Sequence, residues 1–224
     1  MRSIALDLET TGLDPSKGHK IIEIGCVELH NNFPSGKSWQ KYVNPERKIP
    51  LEAYEIHGIS EDFLADKPTF SEIVNDFLSF IKGSNLIIHN AAFDLKFLNY
   101  ELEKINKTNL NHYEIIDTLS VAKKLFPGMP VNLDALSRRY KIDITKRKKH
   151  GALLDAEILA DVYVEMLGGR QQGMNFSLNE QRKKTNYDFP QNEYCKKIYE
   201  LKEKEIELHN KLLLKINKNV QEKK

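Results

Sequence analysis

An α/β fold built on a mixed sheet is predicted by the order of apolar segments in the first part of the chain. Residues 2–8, 20–31 and 38–43 alternate or run apolar, which predicts three strands. The short segment 31–37, which contains Gly and Pro, predicts a hairpin between the second and third strands. Helical and strand patterns alternate after them, and this order is typical of a mixed sheet flanked by helices.

The helices of this domain are predicted by their periodicity. In residues 68–83 apolar side chains recur at helical spacing until Gly83 ends the pattern. Short apolar runs predict strands at 85–90 and 113–116, and Asn90 is placed to cap the next helix. The predicted helices are 49–58 (a short helix or turn), 68–83, 91–105, 118–125, 132–140 and 152–167, the last ended by Gly168 and Gly169.

The composition changes after the double glycine. The net charge is −3 over residues 1–169 and +5 over the remainder, so the body is not a generally basic surface for nucleic acid. Residues 170–192 are polar with few apolar side chains, which predicts a linker. An apolar stripe at helical spacing then predicts a helix over about 193–217. We therefore expect a domain at 1–169, a linker at 170–192 and a helical tail at 193–224.

Composition also predicts the compartment. No apolar run approaches the ~20 residues of a membrane span, and the N-terminus shows no signal-peptide pattern. The two cysteines, Cys26 and Cys195, are far apart and follow no zinc-binding spacing. We expect a soluble, cytoplasmic protein with free thiols and no contact with a membrane.

Four acidic residues occupy positions where apolar side chains are expected. Asp7 and Glu9 lie one residue apart along the first strand and so point to the same face, where two carboxylates repel each other. Asp94 and Asp155 each precede apolar residues at i+3 and i+4, which places both on the inward face of a helix. If the four converge, Mg²⁺ or Mn²⁺ would neutralise them, because hard cations prefer oxygen ligands.

Each acid taken alone has a structural alternative, since a single Asp near a helix start is more often a cap or a hydrogen-bonded residue. His150 favours the metal-site interpretation over a structural role for the acids, because it lies five residues before Asp155. An imidazole beside metal-bound carboxylates can accept a proton from water. The alternative is a surface histidine in a basic loop, in which residues 146–149 are either solvated or close to phosphate.

Three segments resemble, in order, the motifs of the DEDDh 3′→5′ exonucleases. They are "DLETTG" at 7–12, "HNAAFDLKFL" at 89–98 and "HGALLDAEILADVY" at 150–163. The resemblance covers about the first 170 residues and is closest to the proofreading members of the family. The His-x₄-Asp spacing matches the histidine branch, whereas Tyr140 and Asp143 lie too close for the Tyr-x₃-Asp spacing of the sister branch.

The resemblance implies an RNase H-like fold and two-metal-ion hydrolysis of a phosphodiester at a single-stranded 3′ end. It implies that Asp7, Glu9, Asp94 and Asp155 ligate two Mg²⁺ or Mn²⁺ ions and that His150 is the general base. The segment "LEAYEIHGI" resembles the family segment that contacts the terminal nucleotide. The implied substrate-binding residues are Asp7, Glu9, Thr10, Glu52, His57 and Asp155, with Thr11, Gly12 and Leu13 close enough to touch that nucleotide. For His89 we expect a structural role.

The region after the domain predicts partner binding. Gln171, Met174 and Phe176 resemble a sliding-clamp-binding peptide of the Q-x-x-hydrophobic-x-aromatic kind. The helical tail resembles a segment that folds against the alpha-type polymerase subunit, although a solvated charged helix or self-association would give the same pattern. The resemblance also allows a small theta-type subunit as a further partner.

The leading hypothesis is a proofreading 3′→5′ exonuclease that removes mismatched 3′-terminal nucleotides for a replicative DNA polymerase. One alternative is an RNA exonuclease related to RNase T or oligoribonuclease, which has the same motifs but does not need the long tail. A second alternative is a purely structural accessory subunit, which does not need the four acids.

Overall fold

The computed structural model describes residues 1–145, 149–168 and 203–211. The chain divides into two units, residues 1–175 and 176–224. The described part of the second unit is a helix over 203–211 with exposed side chains, which lies within the predicted tail. Most of the predicted linker and tail, including Gln171, Met174, Phe176 and Cys195, lies outside the described residues.

One mixed sheet forms the centre of the first unit. Its strands are β1 (Arg2–Thr10), β2 (Ile21–His30), β3 (Phe33–Tyr42), β4 (Asn85–Ile88) and β5 (Ile115–Asp117). They lie in the order β3-β2-β1-β4-β5. β1, β2 and β3 pair in antiparallel fashion, whereas β1, β4 and β5 pair in parallel. The predicted α/β architecture is confirmed.

Helices cover the sheet, and six of the seven α-helices in the described part of this unit match the predicted helical segments. They are α1 (Leu51–His57), α2 (Glu61–Leu64), α3 (Phe70–Ile81), α4 (Ala91–Lys104), α5 (Thr118–Leu125), α6 (Leu133–Tyr140) and α7 (Ala152–Met166). The unpredicted helix is α2, a single turn that the Ser60 side chain caps by accepting a hydrogen bond from the Phe63 N–H. Within the described ranges, no helix is both long and apolar enough to cross a membrane.

The β2–β3 hairpin is tighter than the sequence predicted. His30 pairs with Phe33, so the connection is the two residues Asn31 and Asn32, with φ of 50° and 67°, rather than 31–37. Asparagine tolerates this left-handed conformation, which two-residue hairpin turns require. Pro34 was misleading because β3 lies at the edge of the sheet, where a residue without an N–H is acceptable.

The predicted capping role of Asn90 is also wrong. Asn90 occupies the N-cap position of α4, but its φ is 68° and its side chain makes no capping hydrogen bond. Asp117, at the end of β5, accepts hydrogen bonds from the backbone N–H groups of Asn90 (3.1 Å) and Ala91 (3.5 Å) instead. A neighbouring strand therefore fixes the start of α4, which a local sequence pattern cannot reveal.

Two apolar cores lie on opposite faces of the sheet, and β1 contributes to both. Leu6 and Leu8 belong to the core packed by α3 and α4, whereas Ala5 belongs to the core packed by α6 and α7. Side chains alternate along a strand, so Asp7 and Glu9 share the face of Ala5. Asp7 and Glu9 thus follow Ala5 on this face, beyond the apolar side chain that β1 contributes to the core there.

Gly25 allows α7 to approach the sheet closely. It pairs with Asp7 across the β1–β2 ladder. A Cβ atom at Gly25 would collide with the backbone of Ala152 and Leu153 at the start of α7. Glycine is needed here for a close approach between two backbones. This contact brings the first turn of α7, which carries Asp155, against the end of β1.

Candidate active site

Three of the predicted site residues converge where β1 ends. Glu9 comes from β1, Asp155 from the first turn of α7 and His150 from the residues just before that helix. Their ligand atoms all lie within 4.8 Å of one another. Both carboxylates are buried. Two acidic groups and an imidazole at this distance match the donor set of a divalent-cation site.

Asp94, in α4, lies close enough to Glu9 for the two charges to interact, but it is not among the three residues whose ligand atoms lie within 4.8 Å of one another. Its side chain is 3% exposed and accepts a hydrogen bond from the Leu8 backbone N–H. Burial, together with the nearby Glu9 carboxylate, raises the pKa of Asp94 well above its usual range. A like-charge interaction therefore links Glu9 and Asp94, which come from different elements, whereas the predicted repulsion between Asp7 and Glu9 stays a prediction.

Asp7 is half-buried and lies on the same face of β1 as Glu9, opposite Gly25. The four acids thus come from β1, α4 and α7, which are the three elements that the sequence indicated. Carboxylates that are buried together lose solvation and repel each other, and both costs fall when a cation binds among them. The residues present fit a divalent cation.

His150 is held by a hydrogen bond to Asp155. Its Nδ1 lies 3.0 Å from Asp155 Oδ2, and its side chain is 46% exposed. An Nδ1–H that donates to this carboxylate leaves Nε2 as the basic nitrogen. The His150 backbone N–H donates to the Ile56 carbonyl at 3.3 Å, which ties the residues before α7 to α1. Lys146, Arg147 and Lys148 lie outside the described residues.

A cavity of about 530 Å³ opens beside the acids and has the size expected of a site for a small ligand. The cavity contains most of the predicted substrate-binding residues, although Asp7 and Asp155 are not among its lining. Its lining residues are Leu8, Glu9, Thr10, Thr11, Gly12, Leu13, Asp14, Lys17, His19, Pro50, Glu52, Ala53, Ile56, His57 and Phe93.

His57 is a buried hydrogen-bond donor in this cavity. Burial and the nearby Lys149 ammonium lower the pKa of His57 to about 4, so the ring is neutral at neutral pH. Its Nδ1 accepts a hydrogen bond from the Ile59 N–H at 2.9 Å, which places the ring proton on Nε2. Nε2 is buried and has no hydrogen-bond partner among the described residues. This unsatisfied N–H can donate to an acceptor on a ligand.

Two rings of the cavity, those of His19 and Phe93, are not among the residues that the sequence predicted for the site. The imidazole of His19 packs against Gly12, where a Cβ atom would collide with it, and its Nδ1 lies 3.3 Å from Thr11 Oγ1. The pairing of β1 with β2 would have indicated this neighbour, because His19 comes just before β2. Phe93 gave a weaker signal, since it reads as one more apolar residue of α4.

His89 lies at the end of β4, away from the cavity lining. Its Nδ1 is 2.9 Å from the Thr118 hydroxyl, at the start of α5. Burial lowers the pKa of His89. These contacts agree with the structural role expected from the sequence.

Several known proteins resemble this chain in sequence. The family model described as "Exonuclease" matches residues 4–163. DNA polymerase III subunit epsilon of Rickettsia conorii is 55% identical over 174 residues, which cover 76% of each chain. The same subunit of Escherichia coli (strain K12) is 49% identical over 185 residues, which cover 79% of this chain and 75% of that one.

Solved structures show the same fold. Exonuclease X, in complex with 5′ overhanging duplex DNA, superposes with a TM-score of 0.58 at 28% identity, over 75% of this chain and 90% of that one. The nuclease domain of 3′hExo, a DEDDh family member bound to rAMP, gives 0.64 at 22% identity, over 75% and 92% of the two chains. At 22% identity, the similarity to the 3′hExo domain shows a shared fold only.

Asp94→Asn should stabilise the metal-free protein at neutral pH, since it replaces a carboxyl group whose ionised form the fold disfavours but keeps an acceptor for the Leu8 N–H. The raised pKa means that the folded state holds this proton more tightly than the unfolded state. Wild-type stability therefore falls as pH rises from ~3.9 through the folded-state pKa. We expect a Tm higher by about 2–4 °C at pH 7.5 in EDTA, which corresponds to ~1 kcal/mol.

The gain should vanish near pH 3.5, where the wild-type carboxyl is protonated in both states. Asp76→Asn is the matched control, because Asp76 is an exposed acid within a helix. Thermal unfolding followed by circular dichroism measures all three proteins. A lower Tm for Asp94→Asn than for wild type in EDTA would contradict the assigned repulsion.

Proposed function

The chain belongs to the exonuclease family, among the epsilon subunits of DNA polymerase III, and from this we propose how its site works as a proofreading nuclease. The protein is a 3′→5′ DNA exonuclease. We propose that it removes mismatched nucleotides from the single-stranded 3′ end of DNA in the cytoplasm. The observation that carries this proposal is the meeting of Glu9, His150 and Asp155 beside a cavity that presents the neutral donor His57.

The family implies divalent metal cations, and the buried acids fit them. We propose two ions, Mg²⁺ or Mn²⁺, held by Asp7, Glu9, Asp94 and Asp155. Cations bound to these carboxylates would neutralise them, stabilise negative charge on the phosphate and allow a polyanion to approach an otherwise acidic site.

His150 is the proposed general base. Its bond to Asp155 fixes the ring orientation and favours the tautomer that is basic at Nε2. Its exposed fraction of 46% leaves the ring open to solvent, from which the attacking water comes. The imidazole accepts the proton of that water, and the Asp155 carboxylate stabilises the imidazolium that results.

The cavity is the proposed binding site of the terminal nucleotide. His57 donates through Nε2–H, and Glu52, in the first turn of α1, accepts from the hydroxyls of the sugar. Thr10 lies beside them, and its hydroxyl donates to the Gly12 carbonyl at 2.7 Å, which fixes the loop after β1. The rings and aliphatic groups of Leu13, Ile56 and Phe93 provide an apolar surface for the base.

The region beyond the domain is proposed to connect the nuclease to its partners. We propose that residues 171–176 bind a sliding clamp and that the helical tail binds the alpha-type polymerase subunit. In the described part of the tail, Leu208, which belongs to the apolar stripe, is 61% exposed and so accessible to a partner. A theta-type subunit bound to the nuclease body is a further proposed partner.

Removal of the metal should abolish hydrolysis. In a time course on single-stranded DNA labelled near its 5′ end, wild-type protein with Mg²⁺ or Mn²⁺ should shorten the strand one nucleotide at a time. EDTA should stop the reaction, because the buried acids then repel the phosphate. Equal activity in EDTA would overturn the metal-dependent mechanism, and a strong preference for an RNA strand of the same sequence would favour the RNA-exonuclease alternative.

His150→Ala should lower kcat by about 10²–10⁴-fold, the usual contribution of a general base. Affinity for a 3′-ended oligonucleotide should change little, since the binding groups remain. Single-turnover kinetics and fluorescence anisotropy in Ca²⁺ measure the two effects separately. His112→Ala removes an exposed histidine as a control. A variant that binds DNA weakly but keeps its turnover would refute the role of base.

Truncation after residue 170 should remove polymerase binding but keep nuclease activity. The apolar stripe of the tail is the proposed contact, and the catalytic residues all precede it. A pull-down with the alpha-type subunit compares the full chain with residues 1–170, and the exonuclease assay shows that the shorter protein is folded. If the shorter protein is active and still binds the polymerase subunit, the contact lies on the nuclease body.

A further inference from the structure

The residues before α7 contact α1 at three points. The His150 backbone N–H donates to the Ile56 carbonyl at 3.3 Å. The Lys149 ammonium lies 4.9 Å from the centroid of the Tyr54 ring, a cation–π contact. The aliphatic part of Lys149 packs on Gly58, where a Cβ atom would come within 2.5 Å of Lys149 Cδ. We call Tyr54, Gly58 and Lys149 the clasp.

Gly58 makes the clasp possible. It ends α1 in the left-handed conformation, with a φ of 72°, and its N–H donates to the Tyr54 carbonyl at 2.8 Å. Glycine adopts this conformation without strain, and its missing side chain leaves room for the Lys149 stem. The ring of Tyr54 and the space over Gly58 therefore lie within one helical turn, where a single lysine spans both.

The clasp joins two functional parts of the site. α1 carries Glu52 and His57 into the nucleotide cavity, whereas the residue after Lys149 is His150, bonded to Asp155. Lys149 is also close to His57, since its ammonium group contributes to the lowered pKa of that histidine. A shift of these residues away from α1 would move the general base relative to the bound nucleotide.

We propose that Lys149 is a positioning residue that holds His150 against the nucleotide-binding helix. The nucleotide and the general base are thereby placed by one connected unit rather than by two independent loops. The proposal rests on the proposed role of His150. It also gives Lys149 a task that differs from both interpretations of the basic run, a solvated loop and a phosphate contact.

The two tasks predict different kinetics. A phosphate ligand acts mainly on binding, so its removal raises KM and reduces the salt dependence of binding. A positioning residue acts on the fraction of molecules with a correctly placed base, so its removal lowers kcat. An exposed cation–π contact changes such a population by about two- to fivefold.

Steady-state kinetics on single-stranded DNA with Mg²⁺ tests the clasp in the full-length chain. Lys149→Met should lower kcat by about two- to fivefold and leave KM within about twofold. Tyr54→Leu should have the same effect, and Lys149→Arg, which keeps a cation over the ring, should restore most of the loss. The double variant, Lys149→Met with Tyr54→Leu, should have a kcat no lower than that of either single variant, because each substitution removes the same contact.

Lys104→Met is the matched control. Lys104 makes a similar cation–π contact, 4.3 Å from the Tyr100 ring centroid, far along α4 from the acids. This variant should keep the kcat of wild type. A raised KM for Lys149→Met, an unchanged kcat, or multiplicative losses in the double variant would each overturn the proposal.

A measurement without turnover separates this proposal from the mechanism it rests on. In metal-free protein, Lys149→Met should shift or broaden the imidazole C–H resonances of His150 in NMR spectra and leave those of His112 unchanged. Unchanged His150 resonances would overturn the clasp even if the wild-type enzyme is active. An inactive wild-type enzyme with shifted His150 resonances would instead refute the proposed function and leave the clasp standing.

Discussion

The repulsion between buried carboxylates is the constraint on which the site depends. Glu9 and Asp94 are 8% and 3% exposed, and the Glu9 carboxylate is close enough to contribute to the raised pKa of Asp94. Folding alone gives no reason to bury them together, because each loses solvation and gains a like charge as neighbour. The apolar packing on both faces of the sheet must therefore offset this unfavourable pair, and a cation bound to these carboxylates, as proposed, would relieve their repulsion.

The sheet keeps the acids together by fixing the elements that carry them. β1 is the central strand and has a core on each face, so the backbone beneath Asp7 and Glu9 is held on all sides. α4 starts where Asp117 binds its first N–H groups, and α7 crosses β2 at Gly25. Close backbone packing tolerates little adjustment, which makes it suitable for holding like charges at a fixed separation.

The sequence predicted the chemistry of the site better than its shape. Acids on apolar faces are visible locally, because strand and helix periods show which side chains point inward. The start of β3 was missed because an exposed edge strand has no apolar alternation and tolerates Pro34. His19, Phe93 and the clasp depend on contacts between distant segments, which no local period encodes. The roles of Gln171, Met174 and Phe176 stay predictions.

His57 and His150 lie in one site but in different environments, which give the two imidazole rings different properties. His57 is 5% exposed and beside an ammonium group, so it stays neutral and offers a fixed N–H to a ligand. His150 is half-exposed, and its Nδ1 lies within hydrogen-bond distance of the Asp155 carboxylate, which orients the ring. The same side chain thus suits the proposed nucleotide binding in one position and the proposed proton transfer in the other. Because Lys149 contacts the helix of the first and precedes the second in the chain, it links the two environments.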